Sequence, residues 1–173
     1  MNLGRPFRLA LVGPPGSGKT TALASVAAQL VCRSVTIGGV LQPRILEDGR
    51  TTGYLLAVIG SPNAPSLLAR RRPTGRGFDF DPDVFAAAAH EIQRAIHEAR
   101  IVVVDELGTL EADGQGHLPA LMTDAPTSAT VWLLAVREDV EAAIADRLGG
   151  LDQVFRPPFS LDVIESVALT LLG

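Results

Sequence analysis

Gly13-Pro14-Pro15-Gly16-Ser17-Gly18-Lys19-Thr20 is the stretch that decides the fold. Before it, Phe7-Arg8-Leu9-Ala10-Leu11-Val12 reads as a short, largely buried strand that ends at the first glycine. After it, Thr20 to Val31 carries Leu23, Val26, Ala27 and Leu30 at helical spacing. Strand, glycine loop and helix form the context in which Gly-x-x-x-x-Gly-Lys-[Ser/Thr] cradles phosphate. The glycines let the backbone approach a polyphosphate with no Cβ in the way. Pro14 and Pro15 stiffen the loop but have no N–H to donate. The donors are therefore the amides from Gly16 through Ser17, Gly18, Lys19, Thr20 and Thr21, at the positive end of the helix. Lys19 is the only lysine in a chain whose other cationic side chains are arginines. A compact ammonium fits between β- and γ-phosphates where a planar guanidinium fits poorly.

Composition narrows the setting. A chain of 173 residues, nearly half of them hydrophobic, is long enough for one domain with a central sheet and helices on both faces. A net charge of −4 argues against general nucleic-acid binding or a membrane-surface role. The single cysteine, Cys32, excludes an intrachain disulfide and a cysteine-based zinc cluster, and is expected to be a buried structural thiol. No signal-peptide core or bilayer-length apolar run is visible, so a cytoplasmic protein is expected.

The rest of the chain alternates between strand and helix patterns. Strands are expected over residues 34–41 and 52–58, joined as a hairpin through the Glu47-Asp48-Gly49 turn. Residues 66–69 form a further short strand, and Arg70 to Gly77 a mobile basic loop. Asp81-Pro82 opens a helix reaching about Ala99. Ile101-Val102-Val103-Val104 is an interior strand. Residues 108–116 form a loop and 117–122 a short helix. Strands at 131–136 and 153–155 flank a helix at 138–148, and Ser160 caps a last helix over 161–172. The class is α/β with a mostly parallel sheet.

Asp105-Glu106 closes the interior strand. Ligands of such sheets bind at the carboxyl ends of the strands, beside the phosphate loop. Asp105 is the candidate to hold Mg²⁺, usually through water, with the Thr20 hydroxyl as second ligand. Glu106 is the candidate to orient and deprotonate an attacking water. Either carboxylate could instead only cap the strand end. Arg137 directly follows the strand at 131–136 and is a candidate γ-phosphate sensor; a surface arginine starting a helix would look the same. Arg70-Arg71-Arg72 and Arg76 are either a solvated loop or a lid, in the same chain or a partner's.

With these features the chain resembles the small P-loop nucleoside-triphosphatases of archaea and bacteria, a family with a human cancer-related relative. The match rests on Gly13–Thr20, Gly38-Gly39-Val40, the Glu-Asp-Gly turn, Thr52-Gly53-Tyr54 and Gly75-Arg76-Gly77-Phe78. It extends to Val103-Val104-Asp105-Glu106-Leu107-Gly108-Thr109-Leu110-Glu111, and covers roughly residues 8 to 150. The resemblance implies a RecA-like sheet with a strand inserted between the P-loop strand and the Asp-Glu strand. It also implies slow Mg²⁺-dependent hydrolysis of ATP, GTP and other nucleoside triphosphates, with Asp105 and Glu106 as the Asp-Glu pair. Some bacterial relatives are associated with molybdate uptake or molybdopterin metabolism, which implies a possible accessory role and a protein partner. Phe155-Arg156-Pro157-Pro158-Phe159 departs from the family's pattern, which leaves the base preference open. A small-molecule kinase and a nucleotide-dependent switch are the alternatives. A kinase would need an acceptor pocket and usually a lid.

Overall fold

The computed structural model describes residues 5–74, 76–122 and 129–173. Its elements are β1 (Phe7–Gly13), α1 (Lys19–Cys32), β2 (Ile37–Leu41), β3 (Arg44–Glu47), β4 (Arg50–Val58), β5 (Ser66–Arg71) and β6 (Phe78–Phe80). They continue with α2 (Pro82–Glu98), β7 (Ile101–Leu107), α3 (Thr109–Ala112), α4 (Leu118–Leu121), β8 (Val131–Arg137), α5 (Glu141–Leu148), β9 (Gln153–Phe155) and α6 (Leu161–Leu172).

The sheet runs β6-β5-β4-β2-β7-β8-β1-β9, with β3 paired to β4 outside this path. The strands β2, β7, β8, β1 and β9 are mutually parallel. β4 joins β2 antiparallel, and β5, β6 and β3 extend that antiparallel wing. β8 lies between β1 and β7, as the RecA-like expectation requires.

Side-chain alternation divides the core between the two faces of the sheet. Leu9, Leu11, Val103, Leu133 and Ala135 face α1 and α6, meeting Leu23, Val26, Leu30 and Ile164. Ala10, Val12, Val102, Val104, Leu134 and Val136 face the other way, toward Ile92 and Ile96 of α2 and Ile144 of α5. Complete burial of one such leucine or isoleucine contributes about 1.5–3 kcal/mol. Gly39, at φ +113°, is pressed so closely on Val103 that a Cβ would overlap the Val103 carbonyl. Gly39 thus lets β2 pack against β7 in register, while a Cβ on Gly38 would overlap Ala95 of α2.

Several expectations are corrected. The hairpin at Asp48-Gly49 joins β3 to β4, while β2 meets β4 only at Val40–Val58 and Leu41–Ala57. The expected basic loop is shorter, because Arg70 and Arg71 belong to β5 and pair with Asp79 and Phe78 of β6. Gly75 of that loop lies outside the described residues. Residues 109–112 form a helical turn within the expected loop. The last helix starts after Ser160, but the Ser160 side chain makes no capping hydrogen bond. Asp81 does cap α2, accepting from the Asp83 and Val84 amides. Cys32 is exposed: it is the last residue of α1, turned away from the helix face that packs on the sheet.

Candidate active site

The phosphate loop joins β1 to α1 at the carboxyl edge of the parallel strands. Gly16 and Gly18 have φ of +83° and +90°, conformations that a Cβ would strain. They let the loop fold back on itself, with the Ser17 amide donating to the Pro14 carbonyl at 3.2 Å. Gly18 takes the N-cap position of α1 without a side-chain cap, and the first turn carries no acidic residue. The positive helix end is thus left to an anion. Lys19 is only 4% exposed, and its Nζ donates to the Gly13 and Pro14 carbonyls at 2.9 Å each. An ammonium has three protons, so one remains for a phosphate oxygen. Burial lowers the Lys19 pKa, while Glu106 and then Asp105 oppose that shift.

Asp105 and Glu106 sit at an irregularity of β7. Val104 pairs with Leu134, yet Leu107 pairs with Val136, so β7 carries one extra residue here. This bulge turns two consecutive carboxylates toward the loop instead of to opposite faces. Glu106 has φ +70°, a left-handed conformation rare outside glycine and concentrated at functional sites. Asp105 is fully buried; its Oδ2 accepts from the Gln42 amide at 2.9 Å. Its Oδ1 is buried with no hydrogen-bond partner of good geometry among the described residues, although the Thr20 hydroxyl stands beside the carboxylate. Desolvation raises the Asp105 pKa, opposed by the Gln42 amide, Thr20 and Lys19. Desolvation also raises that of Glu106; Lys19 opposes it and Asp105 adds to it. A solitary buried carboxylate oxygen next to a hydroxyl suits Mg²⁺, which takes few protein ligands and completes its shell with phosphate and water. No cluster of three or more metal-ligating side chains exists among the described residues.

A cavity of about 260 Å³ lies over the loop. Pro15, Gly16, Gly18, Lys19, Thr20, Thr21 and Glu106 line it, together with Gln42, Arg44 and Tyr54. These last three were not anticipated. Gln42 immediately follows β2 at the edge where ligands bind, which is a signal that could have found it. Arg44 and Tyr54 are cross-strand partners in the β3–β4 hairpin, whose register no local pattern announces. The Arg44 guanidinium stands 3.6 Å from where a Gly16 Cβ would be.

The two groups of sequence-predicted arginines are placed differently. Arg137 reaches the site's far side, and its guanidinium is paired with Asp139, Nε to Oδ1 at 3.0 Å. Arg70, Arg71 and Arg72 line a separate surface groove with Glu47 and Thr52. Arg72 is paired with Asp79, and Arg71 lies over the Phe78 ring while its Nε donates to the Thr51 carbonyl.

Behind the carboxylates a buried polar brace fixes the loop after β7. Glu111 accepts from the Gly108 amide at 2.8 Å and the His117 amide at 2.9 Å. His117 is completely buried, with Nε2 3.2 Å from Gln42 Oε1, and desolvation lowers its pKa to about 4. The chain Glu111, His117, Gln42, Asp105 thus links that loop to the buried carboxylate of β7.

Among the described residues no helix is long and apolar enough to cross a membrane. A larger cavity, about 740 Å³, opens at the opposite edge of the sheet between α2 and the β4–β5 connection, and contains no phosphate-loop residue.

Comparison with known proteins agrees with this arrangement. Residues 8–155 match the model of a family described as NTPase. The chain is 31% identical over 136 residues to nucleoside-triphosphatase THEP1 of Thermofilum pendens, covering 70% of this chain and 71% of that protein. It is 33% identical over 119 residues to the protein of the same name from Methanopyrus kandleri, covering 67% and 66%. Two solved structures share the fold. One is a human cancer-related nucleoside triphosphatase, with a TM-score of 0.66 and 19% identity over 96% of this chain and 95% of that one. The other is THEP1 from the hyperthermophile Aquifex aeolicus, with a TM-score of 0.63 and 18% identity over 95% and 98%. The chain therefore belongs to the NTPase family, an enzyme family whose named members are nucleoside-triphosphatases.

Proposed function

We propose that the protein hydrolyses nucleoside triphosphates such as ATP or GTP to diphosphate and phosphate, in a Mg²⁺-dependent reaction. The observation that carries this reading is the convergence of Lys19, Thr20, Asp105 and Glu106 at one glycine-rich loop. The loop amides and Lys19 hold the β- and γ-phosphates. Thr20 and Asp105 would hold Mg²⁺, which when bound would neutralise phosphate charge. Glu106 accepts the proton of a water as its oxygen attacks the γ-phosphorus. The bond to the β–γ bridging oxygen then breaks, and its electron pair leaves with the diphosphate. The burial that raises the Glu106 pKa makes it a better base than an exposed carboxylate.

Charge developing on the γ-phosphate calls for a further cation. Arg44 fits this role better than Arg137, because no carboxylate among the described residues pairs with it, whereas Arg137 is held by Asp139. A cytoplasmic setting and an accessory step in molybdate or molybdopterin metabolism are proposed on the sequence and its resemblance alone. The test is phosphate release from ATP and GTP, with and without Mg²⁺, by the wild type and Lys19→Ala. Mg²⁺-dependent release that the variant loses supports the reading. Equal release from both proteins would refute it.

A further inference from the structure

A second cavity, of about 310 Å³, lies on the far side of Glu106 from the phosphate loop. Gln42, Tyr54 and Glu106 line both cavities, so the two meet at the candidate base. One attacking water needs about 30 Å³. The space is instead in the range of sites that enclose small organic ligands, about 300–1,000 Å³.

Its walls are aromatic. Phe78, Phe80 and Phe85 are three of the chain's six phenylalanines, and Tyr54 is its only tyrosine. Tyr54 meets Phe78 edge-on at 4.9 Å between centroids; Phe80 and Phe85 are 5.4 Å apart, and Phe85 meets His117 at 5.1 Å. Flat rings are the ligands such walls favour. The opposite wall is Gly108 to Glu111, held in place because Glu111 accepts from the Gly108 and His117 amides. The site is therefore built before any ligand arrives.

Charge narrows the ligand further. Among the charged residues lining the cavity, Arg137 is neutralised by Asp139, Glu111 is committed to backbone amides, and Glu106 faces the reacting centre. No unpaired cation lines it among the described residues, so a phosphate or carboxylate on the ligand would lack a partner.

We propose that this cavity is an acceptor site for an uncharged planar-ring alcohol of nucleoside size, which receives the γ-phosphoryl group in place of water. This rests on the reading of the phosphate loop as a triphosphate site. The acceptor hydroxyl oxygen bonds to the γ-phosphorus and the bond to the β–γ bridging oxygen breaks. The electron pair leaves with the diphosphate, and the hydroxyl proton passes to Glu106 and then to solvent. The product is a phosphomonoester, and no redox partner is needed.

The test uses the full chain, Mg²⁺ and γ-labelled ATP with adenosine, guanosine, cytidine, uridine or thymidine. Labelled nucleoside monophosphate is separated from labelled phosphate. The expected result is label in at least one nucleoside, formed ten-fold or more faster than phosphate is released without it. Phe85→Ala should lower the ratio of transfer to hydrolysis at least ten-fold, chiefly through the KM for the nucleoside. Phe85→Leu, which preserves more of the packing, should lower it less. Phosphate release without label in any nucleoside overturns the acceptor site and leaves the triphosphatase reading standing. Loss of both activities in the wild type overturns both readings.

Discussion

His117 places a pH-dependent weakness behind the buried Asp105 carboxylate. Its ring is completely buried, Nδ1 has no partner among the described residues, and Nε2 meets Gln42 Oε1. Protonation in place would put an unpaired charge in the core, and burial holds its pKa near 4 against 6.5 in the unfolded chain. Between those values the unfolded chain binds the extra proton and the folded one does not. Stability is therefore fully present above about pH 6.5 and falls as the pH drops toward 4. At pH 4.5 the loss from this one group is about 2–3 kcal/mol, worked from those two values. Asp105, Glu106 and Glu111 have raised pKa values and act in the opposite sense, but they are present in wild type and variant alike. The comparison is wild type with His117→Gln, unfolded in urea at pH 7.5, 6.5, 5.5 and 4.5. The variant is expected to start less stable and to lose about 2–3 kcal/mol less than wild type on acidification. Parallel pH profiles for the two proteins would refute the reasoning.

Lys19→Arg should fail as Lys19→Ala does, because the guanidinium keeps the charge but not the shape; normal affinity for a labelled triphosphate in the Arg variant would count against the phosphate-loop assignment. Asp105→Asn should raise the Mg²⁺ concentration needed for half-maximal turnover at least ten-fold, read from a metal titration. Arg44→Ala should lower kcat at saturating nucleotide by a factor on the order of 10² or more, with Arg137→Ala less affected. The reverse order in steady-state kinetics would return the γ-phosphate role to Arg137.

What the sequence made legible follows from how local each signal is. The phosphate loop, the interior strand ending at Asp105-Glu106 and the Asp81-capped helix are each contained within a short stretch of chain. Motif, apolar run and cap chemistry reveal them directly. β3 is hidden because it is short and largely uncovered by core, and β6 because its alternating Phe-Asp-Phe is too short to set a pattern. With β3 unseen, Arg44 could not be placed over Gly16, nor Tyr54 beside it. Arg70 and Arg71 read as loop because charge outweighed strand propensity, yet pairing with β6 supplies the backbone partners that make them strand. The bulge that turns Glu106 inward is a tertiary outcome of β7 meeting β8, and no residue in that run announces it. The aromatic cavity unites residues from β4, β6, α2 and the β7 loop, so only the folded chain displays it.

The most direct measurement is single-turnover hydrolysis and equilibrium nucleotide affinity for Glu106→Gln. Glutamine preserves the size and one acceptor oxygen while removing the base. The expected result is affinity within a few-fold of wild type and a hydrolysis rate lower by a factor on the order of 10² or more. Hydrolysis at the wild-type rate would make Glu106 a strand-end cap and contradict its assignment as the base.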